Sequence, residues 1–144
     1  MQFLDHLKPL GLLVLRVSLG ASFIYHGVPK LTDPGNALRT FAGYNFPGYF
    51  AYLFGILEVF GGGLLIAGLF TRGAALLLTI EMGMVLYKTV IPSEAIKGFE
   101  RYEMPLFLAA MAFALATTGA GAISIDAFTF ESSRKSSGKS KTKD

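Results

Sequence analysis

Apolar residues divide the chain into four blocks, at about 9–28, 49–70, 73–91 and 101–122. At 1.5 Å per residue, roughly 20 residues cross a ~30 Å hydrocarbon core, so each block predicts a membrane-spanning helix. Pro9 suits the first turn of the first helix, and Pro29 with Asp33-Pro34-Gly35 marks its exit. The stretch 29–48 mixes Gly, Pro, Asn and aromatic residues, which fits an interfacial or re-entrant loop with a short helix around 36–42. A turn at Thr71-Arg72 separates the second and third helices, and a polar loop over 92–100 separates the third and fourth. Residues 131–144 hold no apolar side chain and predict a disordered basic tail. The expectation is an all-α integral membrane four-helix bundle over 1–130, followed by that tail.

Composition sharpens this. Hydrophobic residues make up 52%, charged residues 16%, and mean hydropathy is +0.50, unlike an ordinary soluble domain. The charges are segregated, and the pI of 9.2 comes largely from the tail, so no nucleic-acid partner is expected. Cysteine is absent, which excludes thiol redox chemistry, disulfides, iron–sulfur clusters and thiolate zinc sites. Residues 1–8 carry little net charge and the first block contains Arg16, so it reads as a retained helix rather than a cleaved leader. Lys8, Arg72 and the tail's cations oppose Lys30, Arg39, Lys88, Lys97 and Arg101, which predicts both termini in the cytoplasm.

Three charges inside the blocks carry the candidate chemistry. Arg16, Glu58 and Glu81 fall within one or two turns of each other in depth when counted from the inner ends of their helices. An ionisable group in hydrocarbon normally faces the bundle interior and has a partner. Two acids and one guanidinium leave a surplus acid. Either Arg16 bridges both carboxylates or one Glu stays protonated. The centre is then either a buried ion pair fixing helix register or a site for protons or a quinone.

All six tyrosines, with His26 and Glu103, fall at the outer ends or loops. Tyr25, His26, Tyr49, Tyr52, Tyr87, Tyr102 and Glu103 therefore describe either an interfacial aromatic belt or an outer-side pocket. Gly20 on the first helix and Gly61, Gly62 and Gly63 on the second read as close helix packing. No metal site is predicted. His6 and His26 lie near opposite ends of one helix, unsuited to a bis-histidine haem.

Several motifs resemble the DoxX family of small four-helix bacterial membrane proteins. They are Leu15-Arg16 with Gly20, Tyr25-His26-Gly27-Val28-Pro29-Lys30, Leu57-Glu58 with Gly61-Gly62-Gly63, Gly68-Leu69-Phe70-Thr71-Arg72, Phe99-Glu100-Arg101-Tyr102-Glu103, and Gly119-Ala120-Gly121 before Ser124-Ile125-Asp126. The family often has Gly-Pro-Gly-Arg where this chain has Gly119-Ala120-Gly121-Ala122. The resemblance implies a membrane subunit or accessory of a quinone-linked oxidoreductase, with quinone as the candidate cofactor and none bound covalently. The alternatives are a small proton-coupled transporter and a non-catalytic membrane scaffold. Candidate partners are membrane lipid, a redox partner protein and a second copy of the chain.

Overall fold

The computed structural model describes residues 2–43, 46–90 and 102–128. The expected tail, the loop over 92–100 and Tyr44 lie outside them. The described residues form helices and no strand: α1 Gln2–Thr32, α2 Pro34–Gly43, α3 Tyr49–Ala67, α4 Thr71–Val90 and α5 Glu103–Thr118. Four long helices make the bundle, and the short α2 sits in the connection after α1. Stretches at His6–Thr32 and Tyr49–Ala67 are long and apolar enough to cross a membrane. Helix α4 has the length but carries Arg72, Glu81 and Lys88, and α5 is apolar but shorter.

Helix α1 differs most from expectation. It starts before Pro9 and continues through Pro29 to Thr32. Each proline removes one N–H donor, a loss tolerated in apolar helices packed against neighbours. Beyond Pro29 the hydrogen-bonded chain is kept, because Asp33 N–H donates to the Pro29 carbonyl at 2.9 Å. Helix α3 stops three residues early. Gly68 adopts the left-handed conformation (φ 70°), its N–H returning to the Leu64 and Leu65 carbonyls while Leu69 N–H reaches Leu64. Helix α5 ends at Gly119, also at positive φ (83°), with its N–H on the Leu115 carbonyl.

Helix α1 packs along α3, and α4 along α5. The α1–α3 contact is antiparallel and very close. A Cβ built on Gly20 would lie 2.5 Å from the Gly62 carbonyl oxygen, and one on Gly62 would lie 2.6 Å from that of Gly20. Farther along, Gly27 meets the Glu58 Cβ and the Gly55 carbonyl. Gly61 instead faces Leu78 of α4, whereas Gly63 has open space and takes no part in close packing. Leu19, Phe23, Leu65, Leu78, Met82 and Leu115 belong to the main core, and Phe41 and Phe54 anchor a second, aromatic cluster beside α2.

The close crossing yields a direct test. Gly20→Leu should destabilise the detergent-solubilised protein by about 1–3 kcal/mol through overpacking, read as a lowered unfolding midpoint. Gly63→Ala, placed in open space, should leave the midpoint essentially unchanged.

Candidate functional site

The face of α1 that carries Arg16, Gly20, Phe23 and Gly27 continues at helical spacing to Lys30, because the helix does not stop at Pro29. Lys30 thereby reaches Glu58 on α3, and its Nζ donates to Glu58 Oε2. The Glu58 carboxylate is almost completely buried, while Lys30 keeps 21% of its side-chain surface exposed. Lys30 Nζ also lies 5.7 Å from the centroid of the Phe41 ring. A buried carboxylate is tolerable only when paired and hydrogen-bonded, and Lys30 supplies both.

This pair forms part of the wall of a cavity of about 170 Å³. His26, Lys30, Thr40 and Glu58 provide its polar groups, and Phe41, Phe46, Met82, Val85, Met104, Pro105 and Leu108 provide the apolar remainder. Phe41, Phe46 and Phe54 meet one another with centroids 5.6–5.7 Å apart, so the α2 side is closed by interlocked rings. The chamber brings the polar groups of His26, Lys30, Thr40 and Glu58 together with an otherwise apolar lining.

Arg16 belongs to a different site. Its Nη1 donates to the Ala120 carbonyl at 2.7 Å and its Nη2 to the Ile123 carbonyl at 2.9 Å. The guanidinium lies where a Gly68 side chain would be, 2.7 Å from an ideal Cβ, so the α3–α4 turn has no room for one. Asp126, electrostatically coupled to Arg16, caps the same turn. Phe70 N–H donates to Asp126 Oδ1 at 2.8 Å and Thr71 N–H to Oδ2 at 3.0 Å, while Asp126 N–H returns to the Gly68 carbonyl at 2.9 Å. A carboxylate on the free N–H groups opening α4 is the favourable arrangement for a helix N-terminus. Ser124 Oγ donates to the Gly121 carbonyl and accepts from Ala127 N–H, holding the segment in place. Arg16 and Asp126 together fasten the segment after α5 to the α3–α4 turn.

Glu81 is fully buried, and among the described residues neither carboxyl oxygen has a hydrogen-bond partner. It is coupled electrostatically to Glu58 and Lys30 but lines a separate space, on the α3–α4 seam. The three charges expected to form one centre are therefore divided. Glu58 lies against Gly27, about 16 Å along α1 from Arg16 at 1.5 Å per residue. The antiparallel register sends Arg16 to the turn and leaves Lys30 to meet the acid.

The family model described as DoxX matches residues 11–91, more than half of the chain. The chain belongs to the DoxX family. It is also 30% identical over 124 residues to a Bacillus subtilis (strain 168) protein named putative oxidoreductase CatD, covering 85% of this chain and 89% of that one. No solved structure matches it. DoxX membership and the two long apolar helices make this a helical membrane protein.

Within this DoxX chain none of the described tyrosines lines the chamber. Tyr25, Tyr49, Tyr52 and Tyr87 are exposed, Tyr102 and Glu103 are partly exposed, and of the expected outer pocket His26 alone contributes to the cavity. Tyr25 meets His26 edge-on at 5.5 Å from outside. Phenol groups at helix ends are best served at the membrane interface, where the ring is in lipid and the hydroxyl in water. Phenylalanine and methionine, which have no polar tip to satisfy, form the inner wall instead. Lys30 is the residue of this candidate site that the four apolar blocks leave out, since a proline stop at Pro29 removes it from the helix. The i, i+3/i+4 series from Arg16 to Gly27 was the signal that includes it.

The turn site predicts a stability effect separable from the chamber. Asp126→Ala should cost about 1 kcal/mol through loss of the helix cap, measured as a lower unfolding midpoint in detergent. Glu58 would keep its partner in that variant.

Proposed function

We propose that this protein is a membrane subunit of a quinone-linked oxidoreductase, and that the chamber beside Lys30 and Glu58 receives the quinone head group. The observation that carries this reading is a half-buried lysine bonded to a buried carboxylate in the wall of a cavity that is otherwise largely apolar. Its volume suits a single ring: a cavity of ~150 Å³ holds benzene in a protein core. The rings and thioethers of Phe41, Phe46, Met82 and Met104 suit the faces of such a ring. The printed name of the Bacillus subtilis relative, an oxidoreductase, points in the same direction.

A bound quinone supplies two-electron, two-proton redox chemistry. The chain's part is binding, orientation and proton handling. The Lys30 ammonium is a donor for an oxygen that gains negative charge, and its withdrawal from Glu58 would free that carboxylate to take or give a proton. His26, in the same wall, is a second hydrogen-bonding group. The electrons come from a partner redox protein in this reading, since the chain has no cysteine with which to carry them. If α1, α3, α4 and α5 all span, the chain returns to its starting side, and the Lys and Arg distribution is the support for placing both termini in the cytoplasm of a bacterial inner membrane.

Native mass spectrometry of the detergent-purified protein tests this. The wild type should retain quinone, and Glu58→Gln should lower occupancy roughly tenfold or more, as loss of a charge-assisted contact implies. Absence of quinone from the wild type after reconstitution with it, or equal occupancy in Glu58→Gln, contradicts the reading. Proton uptake into vesicles driven by another solute without quinone would favour a carrier instead.

A further inference from the structure

The α3–α4 turn and the segment after α5 enclose a further cavity, of about 370 Å³, with Arg72 and Asp126 both in its lining. Gly119 stands in the same wall at positive φ (83°), and the Arg72 Nε lies 3.0 Å from where a Cβ on it would be. The bare backbone of Gly119 is what leaves room for the guanidinium. Arg72 is exposed and makes no hydrogen bond or ion pair among the described residues, so its donors are free for a ligand. Asp126 gives one acceptor position on each oxygen to the Phe70 and Thr71 N–H groups. An ionised carboxylate has about four such positions, which leaves acceptor capacity on Asp126.

The surroundings say where the ligand comes from. The cavity lies where α3 and α5 end and α4 begins, at the level where hydrocarbon gives way to head groups. Phe70, whose N–H bonds to Asp126, and Phe128, next to the lining residue Ala127, leave 72% and 73% of their surface exposed. Phe70 does so from the left-handed region (φ 49°), a costly conformation for an aromatic residue. Exposed apolar groups beside charged ones mark a membrane contact. The two charges then select the head group. A simple cation would be repelled by Arg72 and a simple anion by Asp126, whereas a phosphate joined to an ammonium satisfies both. The geometry points to this cavity as a binding site for the head group of phosphatidylethanolamine, with the phosphate on Arg72, the ammonium donating to Asp126, and the acyl chains against Phe70 and Phe128. Phosphatidylcholine carries the same charges but has no N–H to donate, and phosphatidylglycerol has no cation.

This site is independent of the quinone reading and is tested separately from it. The full-length protein is placed in nanodiscs of equal parts phosphatidylethanolamine, phosphatidylcholine and phosphatidylglycerol with the same acyl chains, and retained lipid is counted by native mass spectrometry. Phosphatidylethanolamine should be retained at least tenfold over the other two, the effect of one hydrogen bond to a charged group. Arg72→Gln should lower its retention by about tenfold, and Asp126→Asn should erase its advantage over phosphatidylcholine. Glycerophosphoethanolamine, the same head group without chains, should not displace it at equal concentration. Equal retention of the three lipids, preference for phosphatidylglycerol, unchanged retention by Arg72→Gln, or displacement by the chainless head group overturns the proposal. The comparison of head groups on the wild type needs no variant, so it decides even if a substituted chain fails to fold.

Discussion

The near-contact of two helix backbones at Gly20 and Gly62 sets the positions of the charged groups on α1 and α3. With no side chain on either residue, α1 and α3 approach until each carbonyl lies where the other's Cβ would be. That approach sets the axial register. Once Gly20 lies against Gly62 and Gly27 against Gly55, Lys30 must come to Glu58 and Arg16 must come to the turn after α3. Packing of uncharged glycines thus decides which charge meets which.

The consequence is two polar sites with different duties. At the α3–α4 turn, Arg16 and Asp126 hold backbone groups: the guanidinium takes two carbonyls and the carboxylate takes two amides. Both bond to main chain, which suits a fastening; the Arg16 Nε is buried and has no hydrogen-bond partner among the described residues. Lys30 and Glu58, by contrast, hold each other beside an open chamber, where a ligand oxygen could take over part of the bonding. The Glu81 carboxyl oxygens have no hydrogen-bond partner among the described residues. The structure therefore presents a paired acid beside an open chamber and an unpaired acid buried on the α3–α4 seam.

The helical class, the four blocks and the small-residue face of α3 were legible in the sequence because they depend on local composition. The identity of Glu58's partner was not. Counting depth from the ends of apolar blocks assumes that each block starts at the membrane boundary, yet α1 extends beyond both Pro9 and Pro29. That shift removes Arg16 from Glu58 and brings Lys30 to it. The tyrosines illustrate a second limit. Their one-sided placement is plain in the sequence, but whether a ring faces lipid or cavity depends on helix rotation, which only packing determines. Asp126 was visible within its motif, whereas its role as a cap for a helix more than fifty residues earlier depends on the return of the chain after α5.

The central claim is that the glycine-set register pairs Glu58 with Lys30 and not with Arg16. Double-mutant cycles on unfolding free energy, Lys30→Met with Glu58→Gln and Arg16→Met with Glu58→Gln, test it most directly. The account predicts a coupling of about 1–3 kcal/mol for Lys30 with Glu58 and additivity within about 0.5 kcal/mol for Arg16 with Glu58. Strong coupling of Glu58 to Arg16 with none to Lys30 would contradict it.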